Sequence, residues 1–280
     1  MSSRIPPLLE PYLALPPEAS LVLLTSVLGA STNWLVLRFL HSAFVGSEAS
    51  SDIRSEDESK VLLVSFMRDL AFWKENARRM GLDLDKLAAK KRFAFVDGLS
   101  GLFLPRQQKA SSAKVASNIL TNLVLQNVSH EIINVAKTLR DSEGGVQVLL
   151  VVDQLDLLLA AGGDAVGAVS VGEMLMGLRE EVYSTIVSLS ADLPLVSSHQ
   201  TPLEADHAAF LLSTAHQADF TMNLRLLDSG TARDVSGVLR ITIGDGTLED
   251  NRDIRKRIEE KELLYFVGGD GGVKVFERGQ

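Results

Sequence analysis

The sequence predicts an α/β fold: a mostly parallel central sheet flanked by helices, finishing in antiparallel C-terminal strands. Two observations carry this. As far as Ser198, short aliphatic or β-branched runs alternate with longer helical patterns, the rhythm of strand, crossover helix and parallel strand. Beyond residue 217, strand-like runs follow one another without long helices between them, as antiparallel neighbours do.

The early strands are expected at Leu21 to Thr25, Val61 to Phe66, Arg92 to Val96, Gln147 to Val152 and Pro194 to Ser198. They read as continuous apolar stretches because helices cover both faces of such a sheet. Between Ser112 and Arg140, residues Leu120, Val124, Val128, Ile132, Val135 and Leu139 recur at spacings of four, four, four, three and four, one stripe of a long amphipathic helix. A second helix is expected from Val169 to Leu189, with Ser170 as its cap. The later strands fall at Asp219 to Leu227, Gly237 to Ile243, Leu263 to Val267 and Val273 to Phe276. The glycine-rich Gly268 to Gly272 turns the last pair into a hairpin. Gly46 to Lys60 is acidic, lacks an apolar period and reads as a mobile loop, and the charged Glu249 to Glu262 reads as a protruding loop or short helix.

Composition narrows the function. Apolar residues make up 46% of the 280 and aromatics 6%, the profile of an aliphatic, sheet-centred core. The formal charge of -8 disfavours a surface dominated by phosphate contacts. With no cysteine, thiol nucleophiles, disulfides and zinc thiolate sites are excluded, and a reducing compartment is the natural expectation. The N-terminal stretch, interrupted by prolines and Glu10, is not a signal peptide, and no run reaches the roughly 20 apolar residues that span a bilayer. Asn127, Val128 and Ser129 spell a glycosylation acceptor, but inside a helical pattern.

A parallel core with an antiparallel extension suits a RecA-like domain, in which the first strand runs into G-x-x-x-x-G-K-[ST] and a helix that cradles phosphates. Here the aligned stretch is Ser26 to Asn33. Ser26 and Ser31 stand for the two glycines, Thr32 for the lysine and Asn33 for the metal-binding hydroxyl, while Gly29 still permits a tight turn. Without the lysine, phosphoryl transfer lacks its main local cation, so autonomous ATP hydrolysis is not expected. The strand from Val148 ends in Asp153, a Walker B-like position that in an active enzyme helps hold Mg²⁺. With no lysine beside it, capping of the strand end is the simpler reading. Ser198, His199 and Gln200 stand where a nucleotide sensor would lie, and a solvated loop is again the simpler reading.

Other chemistry is thin. His41, His130, His199, His207 and His216 show no paired helical spacing with a carboxylate, so no metal site is expected. Asp97 to Gly101, DGLSG, is not a nucleophile elbow; Asp97 and Gly98 read as strand-exit turn residues. Phe72 and Trp73 are expected to anchor a helix or an interface.

The segment Val64 to Leu84 carries Ser65, Phe66, Asp69, Phe72, Arg78, Arg79, Gly81, Leu82, Asp83 and Leu84 in a pattern that resembles the Elongator complex protein 6 family. Phe93 to Phe103, Val148 to Ala160 and Tyr265 to Phe276 extend the resemblance over nearly the whole chain. It implies one RecA-like domain, residues 1–280, lacking a functional phosphate loop. It further implies a hetero-hexameric ring with Elongator subunits four and five, two copies of each, that binds tRNA and works with core Elongator on wobble uridines. No cofactor is then expected on this chain alone, and ATP would belong to ring interfaces or partners. The expected compartments are the cytoplasm and the nucleus, with no membrane association.

The loops around Gly162 to Gly167 and His199 to His207 are candidate ring or tRNA contacts, but neither is basic. Arg252, Arg255, Lys256 and Arg257 form the strongest basic cluster, which reads equally as a solvated helix with acidic neighbours. The competing readings are an ATP-hydrolysing RecA-like enzyme with a divergent phosphate loop, and a scaffold that binds only protein.

Overall fold

A computed structural model describes residues 5–45, 59–104, 118–140, 146–197, 200–228, 230, 232–244 and 258–278. Among these residues ten strands form one sheet: β1 (Leu21–Ser26), β2 (Lys60–Ser65), β3 (Phe93–Asp97), β4 (Asn118–Ile119), β5 (Val148–Asp153), β6 (Ser184–Ser190), β7 (Phe220–Arg225), β8 (Gly237–Ile243), β9 (Lys261–Val267) and β10 (Val273–Phe276). Their spatial order is β10-β9-β8-β7-β1-β6-β5-β2-β3-β4. Pairing is parallel from β7 through β1 to β4, and antiparallel between β7, β8, β9 and β10. The predicted mostly parallel sheet with antiparallel C-terminal strands is therefore present, including the hairpin that pairs Val273 with Val267.

The ten helices are α1 (Glu10–Leu13), α2 (Asn33–Val45), α3 (Leu70–Arg79), α4 (Leu84–Ala89), α5 (Ser100–Phe103), α6 (Leu125–Arg140), α7 (Leu157–Ala161), α8 (Ala168–Glu180), α9 (Leu193–Ser197) and α10 (Pro202–Gln217) among the described residues. The central strands are buried throughout because successive side chains enter two different cores. Val22 and Leu24 of β1, with Leu149 and Val151 of β5, join α1 to α4 on one face. Leu21 and Leu23, with Val148, Leu150 and Val152, join α6, α7, α8 and α10 on the other. A one-residue slip in either strand would exchange the two sets, so the two cores together fix the register.

Three expectations need correction. The helix expected from Val169 to Leu189 ends at Glu180, and Ser184–Ser190 is β6, a central strand. STIVSLS mixes small polar and branched residues, and parallel pairing to both β1 and β5 decides its state. Pro194 to Ser198 is not a strand, because Leu193–Ser197 forms α9 and Ser198 lies outside the described residues. Ser170 lies in the first turn of α8 and not at its cap: its hydroxyl accepts from the Gly167 amide at 3.1 Å and donates to the Gly167 carbonyl at 2.9 Å.

Boundaries also move. The helix expected from Ser112 begins at Leu125. Leu120 is buried just after β4, and the buried stripe of α6 is Val128, Ile132, Ala136 and Leu139. Lys60 opens β2, its ammonium enclosed and donating to the Leu139 carbonyl at 2.9 Å, so it is not part of a loop. Lys261 and Glu262 likewise belong to β9.

Local chemistry explains several boundaries. Asp69 accepts from the Phe72 amide at 2.8 Å and starts α3. Thr201 and Glu204 form a capping box on α10, with Pro202 in its first turn. At the end of β3 one Asp97 oxygen accepts from the Leu99 amide at 2.9 Å and the Ser100 amide at 2.7 Å, the strand-exit turn read from the sequence. Gly98 is required there, since a Cβ would lie 2.5 Å from the buried Phe66 ring.

Candidate functional site

In an open α/β sheet ligands bind beyond the carboxyl ends of the strands, where the strand order reverses. β1 lies between β6 and β7, and the loop of residues 27–32 carries it into α2. Ser26 is the last residue of β1 and is buried, and its carbonyl accepts from the Ala191 amide at 2.7 Å. Gly29 turns the chain at φ +91°, a conformation that a side chain would strain. Ser31 Oγ accepts from the Asn33 amide at 3.2 Å, so it serves the start of α2. The Thr32 side chain, in the position aligned with the lysine, is only 1% exposed.

Asp192 was not singled out in the sequence, and it occupies this loop. Its Oδ1 accepts from the Leu28 amide at 2.8 Å. A carboxylate thus holds a backbone N–H of the kind that a phosphate loop offers to its ligand, and adds a negative charge at the same place. Around it the Leu28 side chain is 86% exposed and Leu193 74%. Leu226, half exposed, extends this apolar rim: a Cβ on Gly29 would lie 3.6 Å from its methyl groups.

Asp153 ends β5 and is fully buried. Ser65 of β2 donates to its Oδ2 at 2.7 Å, and Ser188 of β6 donates to its Oδ1 at 3.2 Å. Burial pushes its carboxyl up to about 6, with the two serine hydrogen bonds and Arg68 pulling the other way. The adjacent Gln154 sits at φ 56°, its amide donating to Ser188 Oγ at 3.0 Å and its side-chain oxygen accepting from Ser190 Oγ at 2.9 Å. Asp156 accepts from the Ser190 amide and meets His207 Nε2, both at 3.2 Å. The polar groups at the ends of β2, β5 and β6 therefore bond to one another.

The structure brings Asp153 to the same end of the sheet as the loop after β1, where Gly29, Ser31 and Thr32 lie in the turn between Ser26, the last residue of β1, and Asn33, the first of α2. Gln200 lies before α10, where its amide donates to Glu204; Ser198 and His199 lie outside the described residues. So do Arg252, Arg255, Lys256 and Arg257, along with most of the acidic segment before β2. Trp73 is fully buried and Phe72 packs edge-on against it, with ring centroids 5.4 Å apart, so the pair anchors α3 to the core. Among the described residues no group of three His, Asp or Glu side chains could hold a metal, and no helix is long and apolar enough to cross a membrane.

Sequence reasoning also missed Arg38, buried in α2 at 1% exposure. The available signal was a lone arginine inside the otherwise apolar run Trp34 to Leu40.

Comparison with known proteins completes the picture. A solved KaiC-like protein from the archaeon Pyrococcus horikoshii superposes over 93% of this chain and 91% of its own with a TM-score of 0.55 and 17% identity, which shows the RecA-like fold. The Elongator complex protein 6 homolog of Schizosaccharomyces pombe is 25% identical over 271 residues, covering 95% of this chain and 94% of the relative. The profile of the family described as Elongation complex protein 6 matches residues 50–261. With well over half of its length matched in this way, the chain belongs to the Elongation complex protein 6 family and is an Elongator subunit.

Proposed function

We propose that this Elongator subunit is non-catalytic. In this reading it takes two of the six places in a ring with subunits four and five, and within that ring it helps to hold tRNA for wobble uridine modification beside core Elongator. The observation that carries the non-catalytic part is the Asp192 carboxylate on the Leu28 amide, 2.8 Å away, in the loop where a phosphate would need to lie. The enclosure of Asp153 between Ser65 and Ser188 supports it, because both carboxyl oxygens already accept from serine hydroxyls in a fully buried place. ATP, where it is used, belongs to interfaces or partners, and the working compartments are the cytoplasm and nucleus.

The exposed Leu28 and Leu193 beside Asp192 support assembly across this same rim. Co-expression with subunits four and five, followed by native mass determination, should give a hetero-hexamer with two copies of this chain. Leu28→Asp with Leu193→Asp should weaken that assembly at least about tenfold, since each buries a charge in an apolar contact. The isolated chain should show no heat of binding with millimolar Mg-ATP. A monomer that ignores both partners, or ATP binding by the chain alone, overturns the reading.

The tRNA part rests on the family resemblance and on the basic run near residue 255. Charge reversal at Arg255 and Arg257 should weaken tRNA binding by the assembled ring and reduce its salt dependence by about two counterions, leaving assembly intact. Unchanged tRNA affinity would instead favour a scaffold that binds only protein.

A further inference from the structure

Between α2, α3 and the hairpin of β9 and β10 lies a cavity of about 350 Å³, separate from the Asp153 cluster and at the lower end of the range for small-molecule sites. Trp34 and Tyr265 form one wall, their rings 5.2 Å apart at 33°, and Phe72 contributes to another. Asn76 and Arg79 complete the lining from α3: Asn76 Nδ2 donates to the Phe72 carbonyl at 2.8 Å, and the half-exposed Arg79 pairs with Glu75 at 2.6 Å.

Arg38 also lines this cavity. Its side chain is 1% exposed, and its Nε and Nη1 have no hydrogen-bond partner. Burial draws its pKa below the usual arginine range, and burial together with the Arg38 charge lowers that of the nearby His41. Trp34 Nε1 is likewise enclosed without an acceptor. Two residues that line this aromatic-walled cavity thus each carry an enclosed donor group with no acceptor. A buried guanidinium with two donor nitrogens left without acceptors is costly until something pairs with it.

We infer that this cavity is a binding site for a small, planar monocarboxylate, with the Arg38 guanidinium as its anchoring cation and the Trp34 and Tyr265 rings as the platform for its body. A carboxylate accepts charge-assisted hydrogen bonds from a guanidinium and cancels its single charge. A phosphate dianion would leave a second negative charge uncompensated against aromatic walls. It would also need backbone donors, and the nearby Leu28 amide is already held by Asp192. This inference does not depend on the proposed ring or on tRNA.

The test uses the full-length chain, titrated separately with benzoate and with inorganic phosphate, while thermal unfolding and tryptophan fluorescence are followed. The chain has two tryptophans, of which Trp34 lines the cavity and Trp73 is fully buried. Benzoate should raise the melting temperature and change the fluorescence with saturation. Arg38→Met should weaken benzoate binding at least tenfold while unfolding at the wild-type temperature or higher, because it removes a charge that the empty site leaves unpaired. A purely structural arginine would give the opposite shift in stability. A second measurement needs no substitution: the shielded Nε–H resonance of Arg38 in the wild-type chain should move on adding benzoate. A wild-type chain that ignores benzoate, a response that survives Arg38→Met, an Nε–H signal that stays still, or tighter binding of phosphate than benzoate would each overturn the assignment.

Discussion

Truncating Trp73 to alanine will lower the free energy of unfolding by about 3–5 kcal/mol, the usual cost of deleting a large aromatic from a packed core. The ring is fully buried in the face of the sheet that carries α1 to α4, and its Nε1 makes no hydrogen bond, so the loss is one of packing alone. At about 2–4 °C per kcal/mol for a chain somewhat below this size, the melting temperature should fall by about 6–20 °C. Phe72→Ala is the internal control. That ring is only partly buried beside Trp73, so its removal should cost about 1–2 kcal/mol. Urea unfolding followed by far-ultraviolet circular dichroism measures both, and equal losses would mean that the pair does not anchor α3 as its burial indicates.

Asp153→Asn will change how stability depends on pH. In the folded chain the carboxyl is raised from 3.8 to about 6, mainly by burial. Between those values the folded state holds a proton that the unfolded state has released. The stabilising contribution of this group is therefore full below pH 3.8 and is lost as pH rises through 6. A proton held roughly a hundredfold more tightly in the folded chain is worth about 3 kcal/mol. Asparagine is neutral at every pH and offers an acceptor and a donor, as the protonated acid does, and the Ser65 and Ser188 hydroxyls can serve either group. The variant should match the wild type near pH 4 and exceed it by about 3 kcal/mol near pH 7, as measured by urea unfolding across that range. A constant difference at all pH values would mean that the Asp153 carboxyl titrates in the folded chain as it does in the unfolded one, and would reopen the question of a bound cation.

The sequence made the strands legible where their apolar runs were long and bounded. Leu21–Ser26, Lys60–Ser65, Phe93–Asp97 and Val148–Asp153 lie within about a residue of their reading, because burial on both faces leaves no polar interruption. β6 was hidden because residues 181–183 between it and α8 contain neither glycine nor proline, and its apolar positions continue the helical spacing. Pro194 and its branched neighbours looked extended, yet in a short segment local propensity yields to the connection that α9 makes into α10.

At the candidate site, the end of β5 and the turn after β1 could be placed from their residues, but their bonding could not. Ser65 and Ser188 reach Asp153 across 88 and 35 residues of sequence. Asp192 meets Leu28 across 164. Such pairings exist only once the strand order is known, and a parallel sheet makes nearly all of its pairings at long range. Arg38 was missed for a different reason. A single arginine in an apolar helix is ordinary when its head reaches water, and its enclosure follows from α3 and the β9–β10 hairpin, which lie far from it in sequence.

Among the described residues both margins of the sheet end in short strands. β4 has two residues, Asn118 and Ile119, and β10 has four, with Lys274 pointing outward and the charged Glu277 and Arg278 just beyond. A short or charged margin is a poor template for a strand from another molecule. Ten strands in one layer would otherwise invite ladder growth from copy to copy, toward open-ended fibrils. Neighbours must instead recognise this subunit through the loops at the carboxyl ends of its strands and the faces of its helices, which are finite surfaces.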